Sequence, residues 1–298
     1  MSSPFLHAYL SEANEAAIML ARRYTGKFKV INWYRGYHGG TSNSLQATGD
    51  FRRWFGNDTV PGFIKAFNPF PLFWDVAGDT QDEKTQMALN MLEEQILNEG
   101  PDTIAMIQFE SIVGAGGVLV PPDGYMQGVR ALCDKYNILM HCDEVMVGFG
   151  RTGEMFGFQN FPGVVPDIMT SAKGISSAAI PLSMMATRKH IMEAFEDKPL
   201  GWGSTYQAHP VALACAYENL KHLIKTDVVG QVQQLAPVFE EGMKTLADNH
   251  PSIKQYRAIG LFGCFDAQFP DGKNPQLQHE ALHSAFAEYK KVSFLATC

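Results

Sequence analysis

Three polar residues stand where apolar runs of strand length come to an end. Ile138–Cys142 leads into the acid pair Asp143 and Glu144, and Asp167–Ala172 leads into Lys173 and Gly174. A third run, Asp102–Phe109, is closed by Glu110. In open α/β sheets ligands sit beyond the carboxyl ends of parallel strands, so an amine and carboxylates delivered there converge on one site. A lysine amine condenses with an aldehyde, and a carboxylate keeps a pyridine nitrogen protonated so that the ring accepts electrons. Together they suit pyridoxal phosphate (PLP) chemistry. Taken singly, each has a plainer reading. An Asp at a strand end is more often a turn or cap residue, and a Lys before Gly is more often a solvated charge.

The elements that must position these residues follow from local pattern. Ser11 reads as the N-cap of a helix running to about Tyr24, with Glu12 and Glu15 at its positive end and Ala13, Ala16, Ala17 and Leu20 as its apolar stripe. Its first free N–H groups, with Ser11, are suited to an anion such as phosphate. Lys29–Tyr34 predicts a strand and Tyr37 to Gly40 a turn. Residues 56–80, rich in Pro, Gly and aromatics, predict a long irregular connection. Thr80–Asn98 predicts an amphipathic helix, with Met87, Leu89, Met91, Leu92 and Ile96 available for its apolar face. A helix follows Pro121-Pro122-Asp123, with Leu132 and Tyr136 apolar, and enters the strand that ends at Asp143. Further on, Leu182–Ala186 predicts a short strand, with one helix starting near Arg188 and another near Pro210. Helices alternating with polar turns are expected from Lys221 to Asn249, and a helix over Gln276–Lys291.

Gly148, Gly150 and Gly153 spell G-x-G-x-x-G after a predicted strand, the spacing of a dinucleotide site. That site needs a helix opening at the glycines. Gly157, Pro162, Gly163 and Pro166 follow instead and cannot sustain one. The glycines are expected to let an aromatic-rich loop fold close over the cleft. His141 and Cys142 flank Asp143, but no second cluster completes a metal site, and none is expected.

Composition bounds the rest. The chain has 298 residues, 46% of them hydrophobic, and a net charge of −7 without a basic block, which argues against nucleic acid as a partner. The five cysteines are scattered and odd in number, as in reduced core thiols of an intracellular protein. No apolar run reaches membrane-spanning length and no signal-peptide pattern opens the chain, so a cytoplasmic or mitochondrial location is expected.

The segments DEVMVGFGRTG (143–153), PDIMTSAKG (166–174) and GSTYQAHPVA (203–212), in this order, resemble the class III, or ω-, aminotransferases of PLP-dependent fold type I. The resemblance runs from about Ser11 to Asp266, and Ile259–Asp266 resembles the strand that opens the family's small C-terminal domain. It implies an α/β fold with a mostly parallel, doubly wound sheet forming the large domain (1–225), and a partial C-terminal α+β small domain (226–298). It implies that Lys173 carries PLP as a Schiff base and shuttles a proton, and that Asp143 stabilises the pyridinium. The ring would lie between Tyr37 and Val145, with His38 shaping the turn beneath and Glu110 near the ring. It further implies that Ser11 belongs to the phosphate turn and that Thr205 reaches the phosphate of a neighbouring subunit, which makes a homodimer with a shared site. The family carries small residues where Tyr9 and Leu10 stand, and a Pro where Ser111 stands. It also has segments before Ser11 and after Asp266, so this chain is expected to be truncated at both ends. The activity implied is transfer of an amino group from an ω-amino acid or amine (taurine, β-alanine or 4-aminobutyrate) to a 2-oxo acid such as pyruvate. The alternative is a weakly active or inactive homologue acting by dimerisation or binding. Arg22, Arg23, Arg35, Arg52 and Arg53 all remain open as carboxylate ligands, because nothing in their spacing selects among them.

Overall fold

The computed structural model describes residues 5–7, 10–56, 60–70 and 77–267. The predicted helix over Gln276–Lys291 and the side chain of Tyr9 lie outside the described residues. In chain order the elements are β1 (Phe5–His7), α1 (Leu10–Thr25), β2 (Lys29–Trp33), α2 (Ser42–Ala47), β3 (Phe63–Ala66), α3 (Gln81–Glu99), β4 (Ile104–Glu110) and α4 (Tyr125–Lys135). They continue with β5 (Leu139–Asp143), β6 (Ile168–Ser171), β7 (Ser183–Thr187), α5 (Lys189–Glu193), α6 (Pro210–Lys225), α7 (Val228–Asn249), β8 (Ile253–Ile259) and β9 (Phe262–Ala267).

Seven strands form one sheet in the order β1-β7-β6-β5-β4-β2-β3. The pairs from β6 through β5, β4 and β2 to β3 are parallel, whereas β7 runs antiparallel to both of its neighbours. Strand alternation sends successive side chains to opposite faces, and both faces are covered. Val30, Met106, Leu139 and Ile168 pack under Ala16, Ala17 and Leu20 of α1. Their neighbours Ile31, Ile107, Met140 and Met169 pack against Leu92 and Ile96 of α3 and Val129 and Leu132 of α4. The result is the mostly parallel, doubly wound sheet with helices on both faces.

Several local expectations change. Helix α1 begins at Leu10, so Ser11 lies in its first turn and is not its N-cap. Part of the supposedly irregular stretch 56–80 is β3, which extends the sheet beyond β2. Four residues with Gly and Pro just before them carry too weak a periodicity to be read as a strand; pairing to β2 makes them one. Thr80 does cap α3, accepting from Glu83 N at 3.2 Å while Glu83 Oε2 accepts from Thr80 N at 2.9 Å. The inward face of α3 is Thr85, Ala88, Leu92 and Ile96, whereas Met87 and Met91 face outward. Over the stretch from Lys221 to Asn249, where helices alternating with turns are expected, α6 ends at Lys225, a single turn follows, and α7 then runs unbroken from Val228 to Asn249. The strand expected over Ile259–Asp266 is a hairpin, because Gly260 adopts φ +56 and turns the chain between β8 and β9. A Cβ at Gly260 would collide with the backbone of Arg151 and Thr152, against which Leu261 N donates to Arg151 O at 3.0 Å. The hairpin, packed on α7, forms the described part of the small C-terminal α+β unit. Among the described residues no helix is long and apolar enough to cross a membrane.

The orientation of α3 makes adjacent residues unequal. Leu92→Ala should lower unfolding free energy by about 2–4 kcal/mol, and Met91→Ala by less than about 1 kcal/mol. Denaturant titration of both variants checks this; similar losses would mean that the buried face is misassigned.

Candidate cofactor and catalytic site

Strands β4, β5 and β6 are parallel neighbours, so their carboxyl ends lie side by side. Glu110 pairs in register with Asp143, and Asp143 with Thr170. Lys173 follows two residues after β6, with φ 40 in the left-handed region, which turns the chain off the sheet at the lysine. The sheet therefore brings together the three residues whose strand-end positions singled them out.

Asp143 is the most heavily coordinated of them. Its carboxylate is 2% exposed. His38 Nδ1 and Asn14 Nδ2 both donate to Oδ2 at 2.9 Å, and Val145 N donates to Oδ1 at 3.1 Å. Burial alone would push this carboxyl up, but the hydrogen bond and charge of His38, with the bond from Asn14, hold it below the ordinary carboxylate range. Asn14 also donates to His38 O at 2.7 Å, so one amide ties helix α1, the Tyr37–Gly40 turn and strand β5 together. His38 thus does more than shape the turn: it bonds the acid directly. Oδ1 receives one donor and keeps acceptor capacity for another.

Two further acids behave in the opposite way. Glu110 accepts from Tyr37 N at 2.9 Å and Gly114 N at 2.8 Å, yet burial raises it to about 7 against the pull of His38. Glu144 accepts from Ser111 Oγ, Gly157 N and Phe158 N, and burial raises it to about 7 as well. Glu144 thereby bolts the end of β5 to the aromatic loop that follows the three glycines. That loop runs as turns and a short 3-10 segment, Gly157–Asn160, without the helix a dinucleotide site requires.

Lys173 is exposed to the cleft, and its Nζ meets Met146 Sδ at 2.5 Å. Partial enclosure lowers its ammonium pKa, Asp143 and Glu110 oppose that, and Arg52 adds to the lowering. A cleft of about 750 Å³ opens beside it, walled by Val145, Met146, Phe149, Arg151 and Asn219 among others. Tyr37 is half-buried, and the Arg52 guanidinium lies 3.7 Å from the centroid of its ring. Ser11 Oγ accepts from Gly40 N at 3.1 Å and retains its own proton to donate. Thr205 is exposed in the turn before α6 and takes no part in the hydrogen-bonded cluster around Asp143. Asn14 and Thr170 enter the site without having been singled out for it, and Glu144, Ser111 and Arg52, noted in the sequence, acquire definite partners there. For Asn14 the signal was present but slight, an amide inside an otherwise alanine-rich buried stripe.

A mostly parallel, doubly wound sheet with an acid and a lysine at neighbouring strand ends is the arrangement of PLP-dependent fold type I. The chain belongs to the class III aminotransferase family, whose model ("Aminotransferase class-III") matches residues 5–288. It is similar to the putrescine–pyruvate aminotransferase of Pseudomonas aeruginosa, 35% identical over 283 residues that make up 89% of this chain and 60% of that protein. It is also similar to the chloroplastic gamma aminobutyrate transaminase 3 of Solanum lycopersicum, at 34% identity over 92% of this chain and 54% of the relative. The crystal structure of taurine:2-oxoglutarate aminotransferase from Bifidobacterium kashiwanohense, in complex with PLP and glutamate, superimposes with a TM-score of 0.86 at 37% identity. That superposition covers 95% of this chain and 67% of the other. The chain spans little more than half the length of these curated relatives.

The raised carboxyls give stability a definite pH dependence. Between the ordinary value of 4.5 and about 7, the native chain keeps protons on Glu110 and Glu144 that the unfolded chain releases. Stability contributed by these groups is therefore complete below about pH 4.5 and falls as pH rises to 7, by roughly 3 kcal/mol per group. Glu144→Gln should be less stable by about 1–3 kcal/mol near pH 5, because its NH2 confronts a backbone N–H, and should lose part of that slope, so that the difference shrinks or reverses toward pH 8. Denaturant unfolding from pH 5 to 8 separates the offset from the slope; an unchanged slope would show that Glu144 ionises normally.

Proposed function

We propose that this chain holds PLP on Lys173 and moves an amino group from an ω-amino acid or simple amine to a 2-oxo acid. The observation that carries the reading is the ionised, fully buried Asp143 beside a depressed Lys173 amine at adjacent strand ends. Membership of the family supports it, as do the named activities of relatives acting on putrescine, 4-aminobutyrate and taurine. Donors of the taurine, β-alanine or 4-aminobutyrate type and acceptors such as pyruvate fit that set.

The residues present fit the cofactor. Asp143 Oδ1 has acceptor capacity left for a pyridine N–H, while Oδ2 is already saturated by His38 and Asn14. Val145 and Tyr37 are the apolar and aromatic surfaces for the ring, and Glu110 stands next to them, bonded to Tyr37 N. Ser11 and the first turn of α1 supply donors for the phosphate, with Thr205 of a neighbouring copy completing it in a homodimer. When bound, PLP supplies the electron sink that makes loss of a proton from the substrate carbon feasible. Lys173 Nζ then serves as the base that takes that proton and returns it elsewhere, a task for which a lowered amine pKa is suited. Residues 1–225 form the cofactor-binding unit in this reading, and 226–298 the small C-terminal unit.

Absorption spectra of the purified chain after incubation with PLP and removal of the excess test this. The wild type should retain a band that shifts on adding an amine, and Lys173→Ala should lose it. A wild type without a retained band, or a band equal in the variant, would refute the proposal and favour a homologue acting by dimerisation or binding.

A further inference from the structure

Beneath helix α1 the sheet carries a row of polar side chains in a setting otherwise filled by Val, Met, Leu and Ile. Asn32 on β2, Gln108 on β4 and His141 on β5 are register partners across adjacent parallel strands. Thr170 on β6 is the register partner of Asp143. All four point to the α1 side, and each is 0% exposed. An apolar residue at any of these positions would avoid the cost of burying an amide or imidazole, so their joint presence calls for hydrogen bonds among them.

Most of those bonds are visible, and their directions are fixed from one end. Ionised Asp143 can only accept, so the Asn14 atom facing Oδ2 at 2.9 Å is its NH2 and the carbonyl oxygen points the other way. That oxygen accepts from Thr170 Oγ1 at 2.8 Å. Having given its single proton to Asn14, Thr170 Oγ1 faces His141 Nε2 at 3.0 Å as an acceptor, so Nε2 must carry a proton. In a neutral imidazole the other nitrogen is then an acceptor. His141 Nδ1 is buried without a partner, and so is the donor Nε2 of Gln108, its register partner. The two residues sit on adjacent strands, but no hydrogen bond joins these two atoms. Gln108 Oε1 in turn takes a long bond of 3.4 Å from Asn32 Nδ2.

We infer that His141 is a positioning residue for Asp143, a neutral imidazole protonated at Nε2 that heads a one-way chain of donors through Thr170 and Asn14 to the carboxylate. Each link orients and polarises the next, so the chain fixes which oxygen of Asp143 is saturated and which is left to a ligand. Burial drives the imidazolium form of His141 down to about 3 despite Asp143 nearby, in keeping with a neutral ring. The chain itself exists whether or not a cofactor binds. Its effect on a pyridine ring rests on the function proposed above.

The test is nitrogen NMR of the whole cofactor-free chain labelled with 15N-histidine, with the His141 signals assigned by their loss in His141→Leu. We expect a neutral ring bearing its proton on Nε2, unchanged from pH 5 to 8. Thr170→Val should shift the Nε2 signal, and Thr170→Ser should return it. A proton on Nδ1, a ring that becomes charged in that range, or no response to Thr170→Val would overturn the inference. In a second arm, PLP affinity read from the Lys173-dependent band should fall about three- to tenfold in Thr170→Val and largely recover in Thr170→Ser. Affinity equal to wild type in Thr170→Val would overturn the positioning role. If wild type binds no PLP, the functional proposal fails while the tautomer result still decides on the chain of donors. Should Thr170→Val fail to fold, the wild-type tautomer and its pH response decide alone.

Discussion

The structure depends on keeping one carboxylate charged in a place without water. An ionised Asp in a fully buried site is tolerable only if several donors converge on it, and the fold brings them from three directions. Helix α1 contributes Asn14, the turn after β2 contributes His38, and the backbone of Val145 closes the remaining side. Each donor comes from an element whose packing is set elsewhere, so the acid is held by the core as a whole. Glu110 and Glu144, a few ångströms along the same strand ends, lack equally strong partners and rise toward neutrality. Three acids of similar chemistry thus divide into one fixed charge and two that hold protons, by environment alone.

The second organising feature is the separation of duties between the two faces of the sheet. The α3 and α4 face is a conventional apolar core, in which Ile107, Phe109, Met140 and Cys142 meet helix side chains. The α1 face carries the polar row toward the carboxyl ends of the strands, and helix α1 answers it with Asn14 among its alanines. Small residues on α1 let the helix lie close enough for a short amide to reach Asp143. The loop that follows β5 is secured by Glu144 to Gly157 and Phe158 and by Arg151 to the β8–β9 turn. The small C-terminal hairpin therefore touches the loop that walls the cleft beside Lys173, which links the two parts of the chain at the site.

Much of this was legible in the residues. Apolar runs ending in Glu110, Asp143 and Lys173 located the strand ends, and the pattern of G-x-G-x-x-G without a following helix excluded a dinucleotide turn. These signals are local, since a strand's length and its terminal residue are written in consecutive positions. The failures have physical causes too. Strand β3 is made by its neighbour β2, and the hairpin at Gly260 by its fit against Thr152, so neither carries a local signature of its own. In α3, Met87 and Met91 have the apolar character of a core face, but the phase of the helix against α4 decided which residues turned inward.

By itself, then, the sequence determined most of the elements around the site and the three residues at converging strand ends, because periodicity and composition are properties of short windows, while the class of fold was implied by the resemblance of whole segments to a known family. Only the tertiary structure decided the charge states and the partners. His38 and Asp143 are 105 positions apart, Asn14 and Asp143 129, and Thr170 and Asn14 156. No window spans such distances; they are closed by parallel strand pairing and by the seating of α1 on the sheet. The same pairing set Gln108 beside His141, and the seating of the turn Phe51–Phe55 laid Arg52, one of five candidate arginines, over Tyr37. Burial and the direction of each donor exist only once the chain is packed, and they decide which group at the site carries charge.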